Sequence, residues 1–343
     1  LPGIIETQFN NNDLKWETNY NTNIGIDFSL LDKVRFSFEF YNRLTKDLLM
    51  NEPTSLTTGF SSILSNIGEM QNRGVEAELV ATVINKKDFN WSTSFNIAYN
   101  KNKILVLDGI QTSIISGSQI RMVGMPYHTF YLREFAGIDP ADGTTWFYTN
   151  TTDANGNYVK EKTKDLNLAN AIPLQSPYPK ITGGLVNNIR FHFVDLGFTF
   201  TYSLGGYSYD SAAGKLDKEG TANGLHANIP TYYRERWRKP GDESIYGIYI
   251  ANNKWDMADG YSNSRRIHST DHLRLKNLSL GITVPSKYSD YLKIERARVF
   301  ASANNLWTIA KWKMFDPEVG SDGVMAWQTP PMKTITFGID LTF

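Results

Sequence analysis

The chain has 343 residues, 35 basic and 35 acidic side chains, and no cysteine. That balance, with no long block of like charge, gives no sign of a nucleic-acid partner, and the missing thiols exclude disulfides, thiolate metal sites and cysteine nucleophiles from this stretch. No run of about 18 apolar residues occurs, which excludes a transmembrane helix but not a β-barrel, whose alternating strands average to neutral hydropathy.

The opening residues, LPGIIETQ, show neither a starting Met nor a basic segment followed by an apolar one, so no signal peptide is expected here. Residues 1–17 read as a lead-in loop. From Asn23 to Leu30, Ile24, Ile26, Phe28 and Leu30 alternate with Asn23, Gly25, Asp27 and Ser29. After LLDK, Phe36, Phe38 and Phe40 alternate with Arg35, Ser37, Glu39 and Tyr41. Successive side chains of a strand point to opposite faces, so these are two amphipathic strands joined by a tight hairpin.

A long connection is expected over 45–64. Val75, Ala77, Leu79, Ala81 and Val83 then oppose Gly74, Glu76 and Glu78, and after the NKKD turn Trp91, Thr93, Phe95, Ile97 and Tyr99 alternate with polar or small residues. A second long connection covers 104–179, within which 127–138 and 144–150 are further strand candidates. Val194, Leu196, Phe198, Phe200 and Tyr202 repeat the pattern before a third long segment, 206–269.

The next strand changes phase: Leu273 and Leu275 are odd, whereas Leu278, Leu280, Ile282 and Val284 are even, which predicts a β-bulge near Asn277. A fourth long segment, 309–332, leads to TITFGIDLTF, where Ile335, Phe337, Ile339, Leu341 and Phe343 share one face and Thr334, Thr336, Gly338, Asp340 and Thr342 the other.

Short turns near 31–33, 84–88, 191–193 and 285–293 thus alternate with long segments. Outer-membrane barrels segregate their connections in this way, with short turns periplasmic and long loops outside, and a sandwich has no reason to. With long loops outside, the first and last strands both descend, so the strand count is odd, about nine, or about eleven if 127–138 and 144–150 also cross, whereas single-chain bacterial barrels are even. An open sheet would leave unpaired edges in lipid. The expected fold is therefore all-β: an antiparallel transmembrane β-barrel, as the C-terminal part of a larger one, over 18–343.

The stretches LKWETNYNTNIGIDFSLLDKVRFSFEFYNRLTKDLL, GEMQNRGVEAEL, FNWSTSFNIAYNKNKI, YRERWRKPGDE, SRRIHSTDHLRLKNLSLGITVP, RVFASANNLWTIAKWKMFDPEV and FGIDLTF resemble, in order, the C-terminal half of the SusC/RagA family of TonB-dependent outer-membrane transporters. The resemblance implies a plugged barrel of about 22 strands in the bacterial outer membrane. It further implies import of a large nutrient, an oligosaccharide before a peptide, driven through TonB by way of an N-terminal region. The implied partners are a SusD-like surface lipoprotein, a second copy of the transporter–lipoprotein pair, and outer-membrane lipid. No enzyme activity and no cofactor are implied. In such transporters the last strand with its terminal aromatic resembles a barrel-assembly signal, here Phe337, Ile339, Leu341 and Phe343; an interface-girdle role for Phe343 is the plainer alternative.

Segment 206–269 carries Tyr207, Tyr209, Tyr232, Tyr233, Trp237, Tyr246, Tyr249 and Trp255, with Arg234, Arg236, Asp242 and Glu243 nearby. Flat rings beside hydrogen-bonding groups suit sugar stacking, and they suit packing of the loop on itself or on a partner equally well. DANGNYVKEKTK, 153–164, has the alternate spacing of a calcium loop. Its glycine is fourth, however, and its twelfth residue is Lys164 where a bidentate Glu belongs, so an Asn-Gly turn is expected and no metal site. The histidines are scattered, and no GxSxG, P-loop or GxGxxG occurs. The charged strand residues Asp27, Glu39, Glu76, Glu78, Asp195, Asp271, Arg274 and Asp340 would be costly in lipid and are expected on the lumen side. The rival readings are a passive porin or adhesin barrel and a soluble β-sandwich glycan-binding module.

Overall fold

The computed structural model describes residues 10–108, 112–213, 230–249, 262–289, 291 and 293–343. Nine strands form one antiparallel sheet in chain order: β1 Thr18–Leu30, β2 Val34–Pro53, β3 Ser62–Asn85, β4 Phe89–Leu107, β5 Ile181–Phe191, β6 Val194–Leu204, β7 His272–Thr283, β8 Arg296–Ala310 and β9 Thr334–Thr342. Every strand pairs only with its sequence neighbours, so β1 and β9 are edges. Residues 127–138 and 144–150 do not join this sheet; they contribute short strands to separate small ones, which leaves nine strands in the main sheet among the described residues.

The register assembles the alternating patterns into two continuous faces. One row across the sheet runs Phe28, Phe36, Leu79, Phe95, Leu185, Phe200, Leu275 and Trp307. Among the described residues no second sheet covers this face: Ile24, Phe28, Leu280, Val299, Trp307 and Ile335 are all exposed. A water-soluble sandwich would bury these side chains in its core. On this face Asn187 is 5% exposed and accepts a hydrogen bond from the Trp91 indole at 2.9 Å.

The first hairpin closes through Leu31 and Asp32, both at φ 52°, with Lys33 N donating to Leu30 O. Those two positive φ values make a primed turn, whose twist suits a hairpin, within a three-residue loop between the paired Leu30 and Val34. The expected bulge is present. Lys276 is skipped as pairing passes from Leu275 to Asn277, and the register slips against both β6 and β8.

Residues 45–64, expected as a long connection, are mostly strand. β2 runs 20 residues and β3 runs 24, leaving only 54–61 between them. A bilayer crossing needs about 9 to 11 tilted residues, so both strands project well past it. Two features hid this from the pattern: Asp47 lies at φ 54° where the register breaks between Thr45 and Leu48, and the projecting part follows no lipid alternation. There Met50 and Ile67 pack with Ile114 of the following connection. The other long connections are 108–180, 205–271 and 311–333, flanked by strands that run slightly past or short of the expected bounds.

Candidate functional site

The three long connections leave the same end of the sheet and fold against one another. Residues 113–116, 119–122, 129–133 and 171–173 form one small sheet, 135–138, 145–148 and 162–163 a second, and 267–269, 207–210 and 324–325 a third. Their shared core is apolar: Phe130 is fully buried, with Leu132 and Tyr209 beside it and Ile267 and Val324 packed on the cluster. Gln119 ties two connections together, donating to Asp322 O and meeting His128 Nδ1 at 2.6 Å. His128 lies edge-on to Tyr127 and Tyr178. Burial lowers its pKa and the nearby Arg121 charge adds to the effect, while burial pushes the Tyr178 phenol up to about 12.

Most of the aromatics singled out in 206–269 hold this cap together. Tyr209 belongs to the core and Tyr207 packs against it. Tyr233 is 2% exposed and donates to Gly247 O at 3.2 Å. Trp237, also buried, donates to Pro140 O at 2.9 Å and lies against Gly143, whose φ of +75° and lack of a Cβ admit the ring. Tyr232 and Tyr246 are half-buried neighbours, and Tyr249 is exposed. The Arg236 guanidinium lies over Tyr233 and Tyr249, and that of Arg265 over Tyr246 and Phe135. Tyr232, Tyr246 and Tyr249 therefore keep some accessible surface beside two cations. Trp255 lies outside the described residues.

Residues 153–164 begin as a turn in which the Asp153 carboxylate accepts from the backbone N–H of Asn155 and Asn157, both at 2.8 Å. Lys164 instead bridges Asp139 and Asp142 at 2.7 and 2.6 Å, over the Trp146 ring. Its hydrogen bond, with help from Thr144, pulls the Asp142 carboxyl down to about 2.

One tie between cap and strands is a charge pairing that pattern reading missed. Arg274, 1% exposed on β7, donates through one Nη to both oxygens of Asp316 at 2.7 Å, and Lys276 pairs with Glu318 at 3.0 Å. The signal was available as Arg274-x-Lys276 and Asp316-x-Glu318, cations and anions at matching spacing. Nearby, His268 and Trp312 stack face to face, 3.5 Å apart with 3° between their planes. Burial, then the Arg266 charge, lowers the His268 pKa to about 4.

On the polar face of the sheet, Arg298 of β8 reaches across β7 to Asp195 of β6 at 2.6 Å and also meets Asp340 at 3.3 Å. Gly281 makes room, since a Cβ there would meet the guanidinium. On the apolar face of the last strand Phe337, Ile339, Leu341 and Phe343 form an exposed row.

A family described as TonB dependent receptor-like, beta-barrel matches residues 1–182, more than half of the chain. The chain belongs to that TonB-dependent receptor family. It is 28% identical to TonB-dependent receptor P3 of Formosa agariphila over 99% of its own length and 36% of that relative's. With the TonB-dependent receptor SusC of Bacteroides thetaiotaomicron it shares 27% identity over 97% of the chain and 32% of SusC. Its fold is similar to a solved structure of the RagAB peptide transporter, with a TM-score of 0.81 and 29% identity over 96% of this chain and 36% of that one. The chain thus spans about a third of the length of the relatives it matches.

As a SusC/RagA-type TonB-dependent receptor, it is an outer-membrane β-barrel protein. The exposed apolar face of its sheet accordingly meets lipid, and the polar face with Arg298, Asp195 and Asp340 turns to the lumen.

Proposed function

We propose that the receptor containing this chain imports a large nutrient across the outer membrane, driven through TonB and working with a SusD-like lipoprotein. The observation that carries the reading is the match to the TonB-dependent receptor barrel family, supported by likeness to SusC and to RagAB. The chain supplies barrel wall and folded loops. Contact with TonB falls to parts beyond the third of the relatives' length spanned here. The cap lies on the cell exterior, where substrate and lipoprotein meet it, and the short turns face the periplasm.

The nutrient proposed is a peptide, in line with the likeness to the RagAB peptide transporter and with the consumption of Tyr209, Tyr233 and Trp237 in loop packing. An oligosaccharide is the second reading, favoured by the accessible Tyr232, Tyr246 and Tyr249 beside Arg236 and Arg265. Phe343 closes an outward apolar row and is proposed to serve barrel assembly as well as to sit at the interface. The transporter–lipoprotein pair is proposed to dimerise.

Uptake tests the reading. Cells carrying the full-length receptor and its lipoprotein should accumulate labelled peptides from a protein digest only when TonB is present. Equal uptake without TonB would contradict active import and favour a passive porin.

A further inference from the structure

Between the two limbs of connection 311–333, above the polar-face residues Thr308 and Ala310 of β8, lies a cavity of about 450 Å³. Its walls include Trp312, Phe315, Met325 and Pro330, with Gln328 and Thr329 as neutral polar groups and Lys313 as a cation. We propose that this cavity is a substrate subsite that takes one apolar side chain of a peptide, whose backbone carbonyl accepts a hydrogen bond from the Trp312 indole. The proposal rests on the importer reading given above.

Three observations carry it. The cavity is held from several sides by contacts already made: Arg274 and Lys276 fix Asp316 and Glu318, His268 stacks on Trp312, and Met325, 3% exposed, gives its carbonyl to both Ser211 N at 3.0 Å and Ser211 Oγ at 2.7 Å. A pocket ordered in advance loses less entropy when a ligand enters. Next, the Trp312 Nε1–H is buried and has no acceptor among the described residues. A buried donor left without a partner costs about 1 to 3 kcal/mol, and a carbonyl oxygen that displaces the side chains covering it would remove that cost.

The lining also discriminates between ligand classes. A sugar needs an open ring face and several free hydrogen-bonding side chains. Here His268 covers one Trp312 face, and the carboxylates of Asp316 and Glu318 are engaged by cations. What remains is thioether, proline and aromatic surface, with the indole donor and the Thr308, Lys313, Gln328 and Thr329 side chains as polar groups, a mixture that suits an apolar side chain flanked by peptide amides.

The test uses the full-length receptor co-purified with its lipoprotein, incubated with a casein digest, with retained peptides identified by mass spectrometry. Trp312→Phe keeps a ring against His268 but removes the donor, and Ala310→Phe fills the cavity. Wild type should retain peptides enriched in Leu, Met, Val or Phe. Trp312→Phe should weaken retention about three- to tenfold, the loss of one buried hydrogen bond. Ala310→Phe should abolish the enrichment. Retention of the same peptides at the same level by Trp312→Phe, or retention of oligosaccharides but no peptide, would overturn the subsite. TonB dependence of uptake is read separately, so the importer reading can stand or fall without it.

Discussion

Arg274 shows how much one side chain can organise here. It is almost wholly buried, and Asp316 accepts its guanidinium N–H groups, so Arg274→Ala leaves a partly buried carboxylate without its cation. Breaking such a pair costs about 3 to 5 kcal/mol when both groups are fully buried, and Asp316 is 20% exposed, so the lower end or less is expected. The predicted result is faster protease cleavage within 311–333 while the strands stay intact, and unchanged cleavage would refute the anchoring role. Arg274 was readable as a polar strand residue from alternation alone. Asp316 as its partner left only the matching spacing of Asp316-x-Glu318 as a signal, because pairing across 42 residues leaves no periodic trace.

His268 gives a prediction in pH. Burial holds its folded pKa near 4, below the ordinary value of about 6.5, so between those values the unfolded segment takes up a proton that the folded one refuses. The His268 contribution is therefore intact above about pH 6.5, falls as pH drops towards 4, and levels off below that. Protection of 311–333, taken relative to the intrinsic exchange rate at each pH, should fall over that window in wild type, and the extra loss should vanish in His268→Phe. Persistence of the full effect in that variant would place the titrating group elsewhere.

Among elements, the strands within the bilayer were legible because lipid on one side and the lumen on the other impose strict alternation. Even the slip at Lys276 could be read, since a bulge moves the apolar residues from odd to even positions. Where lipid does not reach, legibility failed. The outer parts of β2 and β3 pack against Ile114, break register at Asp47, and resembled a loop. The small sheets of the cap have strands of 2 to 5 residues, too short for a period to register.

The same logic predicts opposite tolerance at two positions three residues apart on β5. Leu185→Arg puts a charge on the lipid face, at a cost of about 2 to 4 kcal/mol near the bilayer midplane, and should sharply lower the amount of folded barrel in outer membranes. Asn188→Arg, on the polar face opposite Gly197, should leave it near the wild-type level. Equal losses would remove the distinction between the faces.

For the whole molecule, nine strands with edges at β1 and β9 cannot stand alone in lipid, where every backbone group needs a partner. Odd parity made this legible from the alternation of short and long connections alone. The roles of individual loop aromatics were less legible, because Tyr and Trp serve loop packing and ligand contact with the same chemistry. Tyr233 and Trp237 went inward and Tyr249 outward, for reasons that lie in partners such as Gly143 and Pro140 far away in the chain.

The central claim is that the apolar face of this sheet lies in lipid and the polar face lines a lumen. Because this stretch contains no cysteine, single cysteines at Phe337 and at its neighbour Thr336 can be labelled one at a time in the full-length receptor, cleared of any other cysteine and placed in liposomes. The measurement is quenching of a fluorescent label by nitroxide-bearing lipids. Strong quenching at position 337 with weak quenching at 336 is the predicted result. Equal quenching at the two sites, or the reverse order, would contradict the account.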